Sequence, residues 1–287
     1  MKCDFPTSSL EELVYYSALF TQGDYTPVPQ LYHYTLRENR DKICQEGNLD
    51  FRFTQASRFA DKEEARHFSK FLSEQFKQLH DDGRIDGQFY KVLCRALDET
   101  DNITEELKKL YVLCFSKEGN HPYLKEHYAC RNGKPGSIIG VQTLEFDNIE
   151  DVVCHRDEPT AFFTLYDVLY DEKELAGCIV NIVLQAYLLR DQDNADYKLT
   201  RRIVHGLVWS YGLVYKGPEF AEEKETRLVV HEDIINYCDE AFKRDPDGYI
   251  HMLLPKSAIY CDIPVQEIAD KLNDMTHGMT ASERQIG

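Results

Sequence analysis

Three stretches of this chain are apolar, β-branched or aromatic at nearly every residue: Tyr111 to Ser116 (YVLCFS), the run from Ser137 (SIIGVQTLEF) and the run from Leu165 (LYDVLY). A strand that turns apolar side chains to both faces must be covered on both, so these segments predict central strands of a sheet. The segments around them keep a different period. From Asp61, Phe68, Phe71, Leu72, Phe76 and Leu79 recur at three- and four-residue spacing behind an acidic first turn, which predicts an amphipathic helix. QFYKVLCRAL from Gln88 and TEELKKL from Thr104 continue in that style, and further helices are predicted from about Ser9, over LRENRDKICQEG closed by Gly47, over Glu172 to Arg190, over Ala195 to Tyr211 and from Pro264 with Asp262 as cap. QLYHYT, KETRLVVH and YIHMLLP complete the strand candidates. Helices gathered in the first half and middle, with strands interspersed, predict an α+β fold and not a regular βαβ alternation. No repeat, low-complexity tract or linker is visible, so residues 1–287 read as one domain.

Composition narrows the functions open to such a fold. The 50 acidic and 33 basic residues give a formal charge of −17, which repels a phosphate backbone and disfavours nucleic acid as a general partner. A small anionic ligand such as a dinucleotide would need a locally placed Arg, Lys or helix N-terminus. Nine cysteines are scattered without a Cys-x-x-Cys pair, which argues against a disulfide framework and a thiolate zinc site. No run reaches bilayer length; LAGCIVNIVLQAYLLR from Leu175 is interrupted by Asn181 and Gln185 and reads as a buried helix. The N-terminus is a poor secretory signal, so the expected setting is the cytoplasm.

Three constellations carry candidate chemistry. In Leu31-Tyr32-His33-Tyr34-Thr35, strand alternation sends His33 and Thr35 to one face and Tyr32 and Tyr34 to the other. His33 beside the Thr35 hydroxyl either binds a ribose or phosphate or is a core histidine satisfied by a backbone carbonyl. On a strand, Glu223, Glu225 and Arg227 share one face at about 7 Å intervals. They form either an acid/base pair with Arg227 keeping one carboxylate ionised, or a solvated charge ladder. Cys114-Phe115-Ser116 ends an apolar strand, where ligand clefts often open, and is followed by Tyr123, His127, Tyr128 and the Gly133-Lys134-Pro135-Gly136 turn. The alternative there is a helix that packs Tyr123 and Tyr128 into the core. Phosphate-loop, dinucleotide-fingerprint, zinc-protease, nucleophile-elbow and kinase motifs are missing, and His121 and His127 lack the spacing of a metal site.

Together these residues resemble an uncharacterised bacterial and phage family, the domain of unknown function 2971. The resemblance covers about Leu31 to Val230 and rests on Tyr32-His33-Tyr34-Thr35, Gly47, Phe59 with Asp61 and Glu64, Cys114-Phe115-Ser116, Tyr128, Gly136, Lys216, Glu223, Glu225 and Arg227. It departs at Ala60 for the usual Asn, Lys125 near the usual Trp and Phe220 for a later Trp. Residues 231–287 then form a C-terminal extension.

The order of these elements is also similar to that of ADP-ribosyltransferases. This resemblance implies a split, mixed or antiparallel sheet flanked by helices, NAD as substrate, no metal, and a protein or small-molecule acceptor in conflict between bacterium and phage. It implies Glu225 as the catalytic carboxylate with Glu223 orienting or deprotonating the acceptor, His33 on the ribose, Tyr34 on nicotinamide, and Thr35, Ser116 and Arg227 in the binding groove. A catalytically inactive nucleotide-binding or interaction module of the same fold is the rival expectation.

Overall fold

The structure, a computed structural model, describes residues 26–45, 48–58, 62–100, 108–146, 163–190, 197–237, 241–255 and 259–264. The protein is α+β. Its main sheet has seven strands: β1 (Gln30–Leu36), β3 (Thr54–Gln55), β4 (Leu110–Ser116), β5 (Gly136–Gln142), β6 (Phe163–Asp167), β7 (Glu225–His231) and β10 (Ile259–Pro264). They lie in the order β10-β5-β1-β4-β7-β6, with β3 beside β4. A second sheet joins β2 (Asn48–Arg52), β9 (Ile250–Pro255) and β8 (Phe242–Arg244), β9 in the middle. Every strand pairing is antiparallel, so a mixed sheet is excluded for these strands.

Alternation along β4 and β7 explains the layers. Leu110 and Val112 with Val229 face one cluster, which helices α2 (Lys62–Asp81), α3 (Gly87–Thr100), α4 (Glu172–Leu189) and α5 (Tyr197–Tyr211) cover. Tyr111, Leu113 and Phe115 with Leu228 and Val230 face the other, where Leu49, Phe51, Ile250, Met252 and Leu254 of the second sheet pack. The four long helices therefore cover one face of the main sheet, and the second sheet, joined by Ile43 and by Ile234 and Ile235 of a short helix (Glu232–Tyr237), packs on the other. The run from β2 to β3 stitches the two, changing sheet at Phe53, whose N–H bonds the Ile250 carbonyl.

The helix periods hold. Phe68, Phe71, Leu72, Phe76 and Leu79 are all buried along α2, and Asp86 caps α3 by accepting from the Phe89 N–H at 2.8 Å.

Other expectations are corrected. The strand from Ser137 stops at Gln142, and Leu144 is exposed. Asp262 is a residue of β10 and not a helix cap. The helix after β1, α1 (Arg37–Ile43), ends at Cys44. Cys44, Cys94, Cys114 and Cys130 are free thiols, but Cys178 is disulfide-bonded. β8, β9 and β10 pair within the two sheets. The helix predicted from Ser9, and Gly47, Phe59, Ala60 and Asp61, lie outside the described residues; of the helix predicted from Thr104, residues 104–107 lie outside and Leu110 instead opens β4, and Pro264, expected to open a helix, ends β10. No helix among the described residues is long and apolar enough to cross a membrane.

Candidate functional site

The end of β4 and the start of β7 are adjacent because the strands run antiparallel, with Ser116 opposite Glu225 and Cys114 opposite Arg227. On its other edge β4 meets β3 through Tyr111 and Val112, and β1 only through the pair Tyr32 and Ser116. Between those contacts β1 and β4 part. A cavity of ≈ 370 Å³ opens there, lined by His33, Tyr34, Ser116, Glu223, Glu225 and Arg227 together with Tyr32, Cys114, Phe115, Leu124, Tyr128, Lys216 and Phe220. Six of the seven residues predicted from sequence thus share one cavity. Thr35 does not; it is buried opposite Ser137 and takes no part in the wall.

The paired registers give the faces. Tyr32, Ser116 and Glu225 are Cα partners in turn and lie on one face, so His33, one residue on, leaves β1 on the opposite face. Both residues line the cavity, but their side chains leave the sheet on opposite faces. The His33 ring stands edge-on to Phe51 and Phe115, and its Nδ1 donates to the Cys114 carbonyl at 3.0 Å, bridging the seam that the ladder leaves unpaired. Burial lowers its pKa, with the carbonyl bond opposing, so the ring is neutral with its remaining lone pair on Nε2.

The charged floor is the centre of the site. Glu223, Glu225, Arg227 and Lys216 are 5%, 7%, 2% and 8% exposed, which rules out a solvated charge ladder. Arg227 donates from Nε to Glu225 Oε1 at 2.9 Å and from Nη2 to Oε2 at 3.2 Å, a bidentate fork, and from Nη1 to the Leu213 carbonyl at 2.6 Å. Lys216 Nζ lies 2.6 Å from Glu223 Oε2 and 2.7 Å from Glu225 Oε2. Burial pushes the Glu225 pKa up; Arg227 and Lys216, with hydrogen bonds from Arg227 and Cys114, outweigh it and hold the group at about 2. Burial, and then the Glu225 charge, raises the Cys114 thiol well above its usual range, so it stays protonated.

Glu223 reaches the floor by a route that alternation did not predict. It is the last residue of a 3₁₀ turn, Pro218–Glu223, and Lys224 then adopts a left-handed conformation (φ 44°) before β7 begins. Pro218 at the head of the turn and the reversal at Lys224 bring Glu223 back beside Glu225 across Lys216. Tyr128 donates its hydroxyl to Glu223 Oε1. It is 43% exposed, so it walls the cavity and is not the core residue that a helix reading predicts. It sits on a π-helical turn, Lys125–Ala129, a local form frequent at functional sites. Tyr123 stacks on His127 at the surface.

Around the cavity, Tyr34 donates to the Glu118 carbonyl and accepts from the His121 N–H, and Ser116 Oγ accepts from the Glu118 N–H at 3.2 Å. Phe220 sets an aromatic ring 5.6 Å from Lys216 Nζ. Sequence reasoning noted Lys216 and Tyr128 without giving them a role. The available signal was a lone lysine closing the apolar run Leu213-Val214-Tyr215, a few residues before two glutamates. No group of His, Cys, Asp and Glu able to hold a metal ion occurs among the described residues. Comparisons of the chain with family models, curated proteins and solved structures give no match.

Proposed function

We propose that this chain is an NAD-dependent ADP-ribosyltransferase that modifies a protein or small-molecule acceptor, in the setting of bacterium and phage conflict that its motif resemblance implies. The observation that carries the reading is Glu225, a carboxylate ionised at neutral pH and clamped inside a cavity that His33 and Ser116 also line. Cleavage of the nicotinamide glycosidic bond releases a neutral leaving group, so it needs no protonated acid beside it. What it needs is a fixed negative charge next to an oxocarbenium-like sugar. Arg227 holds Glu225 in place before the reaction begins, and partial exclusion of water strengthens the interaction. Glu223, on the far side of Lys216, orients or deprotonates the acceptor. The split antiparallel sheet supports the ADP-ribosyltransferase-like arrangement.

The test is incubation of the purified chain with labelled NAD and cell lysate. Nicotinamide release and label transfer are expected, with Glu225→Gln slower by about 10²-fold or more, the usual effect of removing one preorganised electrostatic group. Absence of both under every condition, or equal activity in Glu225→Gln, overturns the reading.

One observation favours a second reading, a binding module without chemistry. All four carboxylate oxygens of Glu223 and Glu225 already accept a bond from Arg227, Lys216 or Tyr128. Calorimetric binding of NAD without nicotinamide release would select it.

A further inference from the structure

Which part of a dinucleotide such a cavity recognises is a matter of how the polar groups in its wall are committed. Two cations line it, and both are taken. Lys216 lies within 2.7 Å of two carboxylates, while Arg227 spends its fork on Glu225 and its third donor on Leu213. The two positive and two negative charges cancel, so the wall has no net charge. A phosphate entering here must displace a carboxylate from its cation and leave that carboxylate buried and unpaired, the expensive half of breaking a buried ion pair.

The spare capacity of the wall is of the opposite kind. Carboxylate oxygens have further lone pairs after each accepts one or two bonds. Such a wall suits a ligand that donates through hydroxyl and amide groups. Tyr32, Tyr34, Tyr128 and Phe220 supply aromatic surface for a ring. The volume of ≈ 370 Å³ sits near the lower end of ligand clefts, which run from about 300 to 1,000 Å³. Beside the floor residues, Glu118 is already paired with Lys224 at 2.6 Å and Glu222 stands exposed, so these three groups set two negative charges against one positive.

We infer that the cavity recognises a phosphate-free nucleoside unit, a ribosyl ring with its base, and leaves phosphates outside. The inference rests on the reading of the cavity as a nucleotide site and specifies its substrate class. For an NAD-consuming enzyme, the recognised part is the nicotinamide riboside end.

The experiment is calorimetric titration of the full chain with nicotinamide riboside, nicotinamide mononucleotide, adenosine and adenosine monophosphate. For whichever base binds, the nucleoside is expected to match or exceed its 5′-monophosphate to within about threefold. A monophosphate bound about tenfold or more tightly than its nucleoside overturns the inference while leaving the NAD reading standing. Binding of adenosine but not of nicotinamide riboside, with adenosine monophosphate no tighter, upholds the inference and removes support from the NAD reading. Binding of none of the four overturns the inference, and the nicotinamide-release assay then judges the reading by itself. A Glu223→Gln chain, checked for folding by circular dichroism, loosens Lys216 and is expected to shift the ratio of monophosphate to nucleoside affinity toward the monophosphate by about threefold or more. An unchanged ratio means that commitment of Lys216 is not what excludes phosphate, and counts against the inference.

Discussion

Arg227 is the residue on which the site depends most. Its guanidinium is buried between a carboxylate and a backbone carbonyl, and no other side chain supplies a planar fork at that place. Arg227→Met leaves Glu225 buried with Lys216 as its remaining cation and should destabilise the protein by about 3–5 kcal/mol, measured by urea unfolding. In the double variant with Glu225→Gln the loss should be smaller than the sum of the single losses, because the charge that Arg227 neutralises is gone. The pH dependence follows from the same pair. Glu225 is held at about 2, below its ordinary 4.5, so its contribution to stability is complete above about 4.5 and is lost as pH falls toward 2. Acid unfolding of the wild type between those values should be steeper than that of Glu225→Gln, followed by circular dichroism at fixed urea.

At the scale of elements, the π-helical turn that carries Tyr128 is pressed backbone to backbone against the start of β5. A Cβ at Gly136 would lie 2.2 Å from the Ala129 carbonyl oxygen, and neither atom belongs to a side chain that can swing away. Gly136→Ala should therefore cost about 1–3 kcal/mol in thermal unfolding and pull Tyr128 from Glu223, which a drop in ligand affinity would report. The elements legible in the sequence were those with a long or uniform pattern. The 20-residue α2 carries five apolar residues on one stripe, three of them Phe, and β4 and the Leu228-Val229-Val230 part of β7 are apolar on both faces. The missed strand Asn48–Arg52 hides its nature because Asp50, in its middle, is charged and yet buried. It is kept there by His251 at 2.6 Å and by Lys243, partners some 200 residues away in the chain. Glu223 was read as strand because alternation continues through it on paper, while Pro218 and the left-handed Lys224 decide otherwise. Lys216 is marked only as the lysine that closes a short apolar run, and its role exists only once β7 and the 3₁₀ turn fold against each other.

Across the whole molecule, the chain carries a formal charge of −17, while the four charges of the floor cancel. A neutral or cationic ligand therefore meets no electrostatic barrier on approach, whereas a polyanion does. Helices on one face of the main sheet and a second sheet on the other bury β4 and β7 on both sides. The seam between β1 and β4 is different in kind. One residue pair and one imidazole hold together strands that elsewhere are fastened by full ladders. Native-state hydrogen exchange should find amides along this seam opening with less free energy than those of the β4 and β7 ladder, by at least about 1 kcal/mol. The breathing mode available to the sheet thus runs along the line where the cavity lies. Entry of a ligand would quiet that motion, so occupancy can be registered by protected amides even where no reaction follows.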